Sequence, residues 1–177
     1  MPRDALVEKN ISFVDTADQN ILKERERLNL SQFIPFHFHI HTAYDTAVKN
    51  VNYSTVFIYL CLKRDVARNN NFKILPIHPA SNDRPILYDY DEGFNKIDWK
   101  TMELTIEDLI STEASDNDLN YHKQVRMAEC LSPYIIPINL FQSIKVKDQG
   151  CYNYVSSILR KYCINPSPYI DISENMF

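Results

Sequence analysis

The sequence predicts an α+β domain, in which short strands in a mixed arrangement are flanked by a few helices. Apolar runs of strand type recur along the chain and all of them are short. Amphipathic helical patterns occupy residues 15–28 and 151–162. With 177 residues, 45% of them hydrophobic and 24% charged, the chain has the composition of one soluble globular domain, to which we assign residues 1–177.

The first half of the chain combines one clear helix with three strand-like runs. Asp18 can cap a helix in which Ile21, Leu22 and Leu28 share a face, while the charged residues 23–27 face water. Residues 1–12 have neither a helix cap nor a hydrophobic period. In chain order we then predict a strand with a following turn at 32–44, a central strand covered on both faces at 55–63, a short helix or turn at 65–70 and a short strand at 72–75.

The second half begins with an aromatic-rich, irregular stretch, residues 82–102, which predicts a surface excursion packed by its own rings. In chain order we then predict a helix at 107–113, a polar loop at 114–123, a short strand-like stretch at 126–131, strands at 134–140 and 143–146, an amphipathic helix at 151–162 and a last strand at 169–172.

Composition excludes several classes of function. The chain has only two glycines, Gly93 and Gly150, so it contains neither a Gly-rich dinucleotide fingerprint nor a Walker loop. Any nucleotide must therefore be held by side chains and ordinary loops. The net charge of −4 argues against a broadly basic nucleic-acid surface but is compatible with a local basic groove.

The four cysteines form no C-x-x-C pair, which favours free thiols in a reducing cytosol. The chain opens without a signal peptide, and no apolar run approaches the roughly 20 residues of a membrane helix. We therefore expect a cytoplasmic protein without a membrane partner.

Three histidines, His37, His39 and His41, alternate along the predicted strand at 32–44. A period of two places them on one face, where they could bind a metal ion or line a polar cleft. Same-face residues of a flat strand stand roughly 7 Å apart, which is wide for three ligands of one ion. A metal-dependent enzyme is therefore an alternative, with cleft lining favoured.

Glu129 is a carboxylate in an apolar stretch that follows a polar segment. Such a group can stabilise a developing oxocarbenium ion or accept a proton from a nucleophile. A structural ion pair with Arg126 or Lys123 is the alternative. The residues alone leave both interpretations open.

A small basic and aromatic cluster, Tyr121, His122, Lys123 and Arg126, stands out in an otherwise acidic chain. Bases of a single-stranded nucleic acid stack on aromatic rings while Lys and Arg contact the phosphates. The cluster predicts a DNA contact, with a solvated loop as the alternative.

Several stretches, in this order, resemble the DarT family of DNA ADP-ribosyltransferase toxins, from about residue 15 to the end. They are Asp15-Thr-Ala-Asp18 with the helix after it, Phe33-Ile-Pro-Phe-His-Phe38, Phe72-Lys-Ile-Leu-Pro-Ile-His-Pro79, Met127-Ala-Glu-Cys-Leu131 and Ile144-Lys-Val146. The Phe-His-Phe and Pro-x-His-Pro forms are more similar to the guanine-modifying branch than to the thymine-modifying one.

The resemblance implies an ADP-ribosyltransferase fold with a split mixed β-sheet, and a glycosyl transfer that moves ADP-ribose from NAD to a base in single-stranded DNA. It implies that Glu129 is the catalytic residue and that residues 115–123 form the substrate-recognition loop. It further implies NAD binding by His37, His41, Tyr44 and Arg25, with Tyr44 near the nicotinamide. DNA would be bound by Tyr121, His122, Lys123 and Arg126, and the partner would be a macrodomain antitoxin.

Family members also begin with a strand whose histidine helps to seat NAD, and the chain starts too late to contain it. Three alternatives follow: the start is truncated, NAD binding is rebuilt from His37, His41 and Arg25, or catalysis is weak. A non-catalytic nucleic-acid- or NAD-binding module of the same fold is the alternative function.

Overall fold

The computed structural model describes residues 2–12, 18–51, 56–81 and 85–177, which form helices around two separate β-sheets. The helices are α1 (Arg3–Glu8), α2 (Gln19–Arg27), α3 (Ala43–Val51), α4 (Arg64–Asn69), α5 (Tyr90–Lys96), α6 (Trp99–Glu103), α7 (Ile106–Ser111), α8 (Asp116–Arg126) and α9 (Gln149–Lys161). The strands are β1 (Ile34–His37), β2 (Ile58–Leu62), β3 (Lys73–Leu75), β4 (Tyr88–Asp89), β5 (Glu129–Ser132), β6 (Phe141–Val146) and β7 (Tyr169–Ile172). In the described part of the chain, no helix is both long and apolar enough to cross a membrane.

The first sheet has the strand order β1-β5-β3-β4, and all its pairs are antiparallel. The second has the order β2-β6-β7, with an antiparallel β2–β6 pair and a parallel β6–β7 pair. This confirms the predicted α+β class, with one antiparallel sheet and one sheet of mixed pairing.

The core lies on both faces of the first sheet, because successive side chains of a strand point to opposite sides. Ile74 and Cys130 face one cluster, which also receives side chains from α5, α6 and α8. Leu75 and Leu131 face the other, together with Leu30. All four residues of β5 are buried, so this strand forms the buried interior of the first sheet, between β1 and β3.

Several predicted elements are confirmed. Asp18 caps α2 through a 2.8 Å hydrogen bond from the Asn20 amide, and Leu22 is the buried residue of that helix. The short helix α4, the strand β3, the helices α7 and α9 and the strand β7 also lie where the patterns indicated. Residues 15–17 of the first family-like motif lie outside the described residues.

The prediction of a central strand at 55–63 is wrong, since β2 is an edge strand whose burial is only partial. Its apolar run has another cause: Tyr59, Leu60, Cys61 and Leu62 line a cleft between the sheets. Residue 55 lies outside the described residues.

The strand predicted at 32–44 ends at His37, and α3 begins at Ala43. Thr42 and Asp45 explain this helix, since each side chain hydrogen-bonds the backbone amide of the other, at 3.2 and 3.3 Å. The helix α1 was not predicted, because its residues have neither a clear helix cap nor a hydrophobic period in the sequence.

Of the stretch 82–102, the described residues 85–102 do not form a surface excursion. They contain α5 and α6, whose Tyr90 and Met102 are buried in the main core. The ring packing is real, with Phe94 and Trp99 centroids 4.7 Å apart, but it extends inward to Phe38. Residues 82–84 lie outside the described residues.

The polar loop predicted at 114–123 is the helix α8. Ser115 and Asp118 form a capping box that stabilises the start of the helix. The apolar stripe of the helix is weak, which is why the sequence did not indicate a helix here. The strand predicted at 134–140 is absent from this described segment, because Pro133 and Pro137 lack the amide that a ladder needs, and β6 begins only at Phe141.

Candidate active site

Glu129 stands at the start of β5, three residues after α8 ends. In the sheet register it lies opposite His37 of β1 and Leu75 of β3. The residue is only 4% exposed. Because both neighbouring strands pair with it, the position of this carboxylate is determined by the sheet and not by a loop.

The partner of Glu129 is Arg25, on the inner side of α2. Arg25 Nη1 donates to both carboxylate oxygens, at 2.6 and 2.7 Å. Charge-assisted hydrogen bonds of this kind orient a carboxylate strongly. The predicted ion pair with Arg126 or Lys123 is therefore wrong, because a residue 104 positions away supplies the cation.

His78 lies beside this pair. Burial lowers its pKa, Glu129 opposes that effect, and the charges of His37 and Arg25 act in the same direction as burial. The Ala80 amide donates to His78 Nδ1 at 3.1 Å, so the neutral imidazole carries its proton on Nε2. We did not predict His78 as a site residue, although the Pro-x-His-Pro motif that contains it was the signal available.

A cleft of about 680 Å³ runs along the free edge of β1 and separates it from β2. This volume is typical of small-molecule sites. His37 lines the cleft, and its Nδ1 is buried without a hydrogen-bond partner among the described residues. Glu129 lies one strand inward from that edge, behind His37.

Two cations that the sequence analysis missed also line the cleft, Lys63 and Arg64. The Arg64 guanidinium lies over Phe94 and Trp99, with its Cζ 5.3 and 5.2 Å from the ring centroids. This stacking holds a positive charge at the cleft wall. Both residues stand directly after the strand β2. Polar side chains at the end of a strand often line a binding site, so the sequence contained a signal for them.

Of the four residues predicted to bind NAD, only His37 lines the cleft. Arg25 is engaged by Glu129, and His41 is exposed with a left-handed φ of 57°. Tyr44 stands in the first turn of α3 and is half-buried. The NAD roles of these residues stay predictions.

The three alternating histidines do not form a metal site. His39 and His41 follow the end of β1, so the strand period does not align them with His37. Across the described ranges, no group of three or more His, Cys, Asp or Glu residues is placed to hold a metal ion. The metal-dependent alternative is therefore wrong.

The four residues predicted to contact DNA do not share one surface, because a helix distributes them around its axis. Tyr121 and Lys123 are exposed, and the Tyr121 hydroxyl donates to Asp98 at 3.3 Å. His122 is 2% exposed and pairs with the Leu104 carbonyl, 2.9 Å from its Nε2. A DNA contact by His122 is incompatible with that burial, and Arg126 points to the segment after β1.

Comparisons with protein families and known proteins show what this chain is similar to. The model of the family described as "ssDNA thymidine ADP-ribosyltransferase, DarT" matches residues 1–177. A search of curated protein sequences finds no match.

Solved structures share the fold. The Thermus sp. 2.9 DarT complex with ADP-ribosylated single-stranded DNA has a TM-score of 0.70 at 18% identity, covering 94% of this chain and 82% of that one. The same protein with NAD⁺ gives 0.64 at 18% identity, covering 84% and 73%. Thermosipho africanus DarTG with ADP-ribose gives 0.64 at 17% identity, covering 99% of this chain and 45% of that one. Since the family model spans residues 1–177, the chain belongs to the DarT family of NAD-dependent single-stranded-DNA ADP-ribosyltransferases.

Proposed function

We propose that this chain uses Glu129 as the catalytic carboxylate for transfer of ADP-ribose from NAD to a guanine base of single-stranded DNA. One observation carries the assignment of Glu129. Glu129 is a buried carboxylate that is bound through both oxygens by Arg25 and stands one strand behind the cleft edge. A carboxylate oriented in this way suits a reaction whose transition state is cationic at the sugar.

In the proposed reaction, the bond between ribose C1′ and the nicotinamide nitrogen breaks, and its electron pair leaves with neutral nicotinamide. The Glu129 carboxylate stabilises the oxocarbenium ion that forms. A nitrogen of the DNA base attacks C1′, and its proton passes to Glu129. Arg25 is then a positioning residue, since it orients both carboxylate oxygens.

The cleft between β1 and β2 is the proposed NAD site. Lys63 and Arg64 supply positive charge for a pyrophosphate, and the unpartnered Nδ1 of His37 is available to a polar group of the ligand. The NAD⁺ complex of the Thermus protein, which has the same fold, supports NAD as the ligand. DNA would approach along α8, where Tyr121 can stack on a base and Lys123 can contact a phosphate.

The choice of guanine rests on the Phe-His-Phe and Pro-x-His-Pro forms. They place His37 opposite Glu129 and His78 beside it. The description of the family names thymidine, so the acceptor base requires a direct test. Oligonucleotides that contain a single guanine or a single thymine in an otherwise identical strand will distinguish the two, with the modified base identified by mass spectrometry. A product on thymine alone would overturn the guanine assignment.

We further propose that the protein is the toxin of a toxin–antitoxin pair, whose antitoxin is a macrodomain that removes ADP-ribose from DNA. The fold shared with a DarTG protein that binds ADP-ribose supports this pairing. Expression of the chain should arrest growth, and co-expression of a macrodomain hydrolase should restore it. Growth unaffected by the active enzyme would contradict the toxin role.

The catalytic assignment is tested with labelled NAD and single-stranded oligonucleotides. Glu129→Gln keeps the shape of the side chain, so we expect folded protein that labels DNA at least 100-fold more slowly. Glu103→Ala, which removes an exposed carboxylate, is the control and should keep wild-type labelling. Equal labelling by Glu129→Gln would refute the role of Glu129, and nucleic-acid binding without any product would favour the non-catalytic module.

A further inference from the structure

Arg126 joins the helix α8 to the segment that follows β1. Its Nη2 donates to the Ile40 carbonyl at 3.1 Å and lies 2.7 Å from His39 Nδ1 and 3.3 Å from His39 Nε2, across 86 and 87 positions of the chain. His39 Nδ1 also contacts the Ile40 carbonyl, which can only accept, so Nδ1 carries the proton. A guanidinium can only donate, so Nε2 is the nitrogen that accepts from Arg126. This contact requires His39 to be neutral.

The contact is partly buried. Burial lowers the pKa of Arg126, and its Nε is buried without a hydrogen-bond partner among the residues that the structure describes. Desolvating a guanidinium costs free energy that only well-placed acceptors offset. A solvent-facing arginine that waits for a phosphate would avoid this cost, so the burial indicates an internal role.

Both segments that Arg126 joins belong to proposed substrate sites. His39 and Ile40 line the cleft, next to Phe38, whose ring packs edge-on against Trp99 at 5.4 Å. On the other side, Arg126 is the last residue of α8, the helix that presents Tyr121 and Lys123. The guanidinium therefore lies between the wall of the NAD cleft and the end of the DNA-contacting helix.

We propose that Arg126 is a positioning residue that couples NAD binding in the cleft to DNA binding along α8. The inference rests on the proposed function. A ligand that orders residues 38–40 also orders the acceptors of Arg126 and, through it, the end of α8. Because coupling between two binding sites is reciprocal, each substrate then raises the affinity for the other.

The same contact predicts a dependence on pH. The titratable and charged groups that face His39 are Arg126 and His122 from α8 and His41 from its own segment, and all three disfavour a charged imidazole, whereas the Ile40 carbonyl favours it. Protonation of His39 removes the acceptor for Arg126 and adds a like charge beside it. The coupling should therefore weaken as the pH falls through the pKa of His39, which burial holds below its ordinary value.

The test measures the dissociation constant of carba-NAD⁺ by calorimetry, with and without a single-stranded oligonucleotide, for wild type and Arg126→Lys. Lysine keeps the charge but cannot serve both acceptors in the same geometry. For wild type we expect the oligonucleotide to tighten carba-NAD⁺ binding about fivefold or more, within the usual range of such couplings. For Arg126→Lys we expect a ratio near one and a raised KM for NAD, with the chain still folded.

Arg68→Lys is the matched control, because Arg68 is an exposed residue paired with Asp91 on the surface. It should keep the wild-type ratio. His39→Gln should give a ratio that no longer changes between pH 7.5 and 5.5. Full coupling in Arg126→Lys, or an unchanged affinity in wild type, would overturn the inference.

The experiment distinguishes failure of the coupling from failure of the proposed function. A wild-type enzyme that labels DNA but shows no role for Arg126 refutes only the coupling. A wild-type protein that binds neither carba-NAD⁺ nor DNA refutes both proposals.

Discussion

Arg25 Nη1 lies 2.6 Å and 2.7 Å from the two carboxylate oxygens of Glu129. The side chains are 12% and 5% exposed, so this ion pair is nearly removed from water. Removing one member of such a pair leaves the other charge buried without compensation.

Arg25→Ala should therefore lower the free energy of unfolding by about 3 kcal/mol or more, measured by urea denaturation. Arg27→Ala, on the same helix, removes a surface pair with Glu24 whose members are 60% and 36% exposed, and should cost less than about 1 kcal/mol. Arg25→Met combined with Glu129→Gln should recover much of the loss. Similar losses in the two single variants would contradict the buried role of Arg25.

The protein should lose stability as the pH falls below about 6.5. Burial lowers the pKa of both His39 and His78 from the ordinary value of 6.5. Below pH 6.5 the unfolded chain takes up protons that the folded histidines do not yet bind, so the free energy of unfolding decreases towards acid pH. Urea denaturation at pH 7.5 and 5.5 measures the difference.

Substituting Gln for both His39 and His78 should remove a large part of that decrease. Stability that stays constant from pH 7.5 to 5.5 in the wild type would show that these histidines do not titrate differently on folding.

Lys123→Glu should weaken binding of a single-stranded oligonucleotide and make it less sensitive to salt. Each phosphate contact that is lost reduces the slope of log K against log salt by about 0.7 for single strands. Lys161→Glu, at the end of α9, provides the same charge change on another element. Equal effects of the two substitutions would mean that only net charge matters.

The cysteines should react in an order set by exposure and burial. Burial raises the pKa of the Cys130 thiol to about 12, which leaves roughly 10⁻⁴ of it as thiolate at pH 8. Cys163 is exposed. Iodoacetamide should modify Cys163 first and Cys130 only after unfolding, as followed by intact mass and peptide mapping, and Cys163→Ser should remove the first adduct. Early modification of Cys130 would contradict its burial.

Gly93→Ala should destabilise the fold, because a Cβ there would stand 2.5 Å from Ile74 Cβ and 2.9 Å from Tyr88 Cβ. Neither atom is the far end of a flexible side chain, so we expect a loss of about 1–3 kcal/mol by urea denaturation. At Gly150 the nearest atom is Asp148 Oδ1 at 3.2 Å, so Gly150→Ala is the matched control with a much smaller change. A neutral Gly93→Ala would show that α5 can move away from β3.

Local sequence was sufficient for some of the elements that local interactions determine. The Asp18 cap and the spacing of Leu22 predicted α2, and the apolar pattern of residues 151–162 predicted α9. By contrast, α8 buries only a few side chains, so its sequence lacks a continuous apolar stripe, and the helix depends on its capping box. The box itself, Ser115 followed by Asp118, was visible and would have identified the helix.

The candidate site was predictable only in part, because its geometry joins distant positions. Glu129 stood out as an isolated carboxylate, but nothing in its neighbourhood indicated Arg25, which is 104 positions away. The apolar run of β2 predicted burial in a sheet, whereas it lines a cleft that exists only once the two sheets are assembled. Lys63 and Arg64 follow this run directly, which was a signal in the sequence, but their place at the cleft wall depends on the same assembly of the two sheets.

The position of β5 has a consequence for inactivation by heat. The strand is paired along both edges, to β1 and β3, and all its residues are buried. Although Glu129 is the first residue of the strand, it is paired on both sides and bound by Arg25, so displacing it breaks contacts with β1, β3 and α2 together. Thermal loss of activity should follow the cooperative melting of the domain without an earlier, separate phase, and cooling that restores the fold should restore the enzyme.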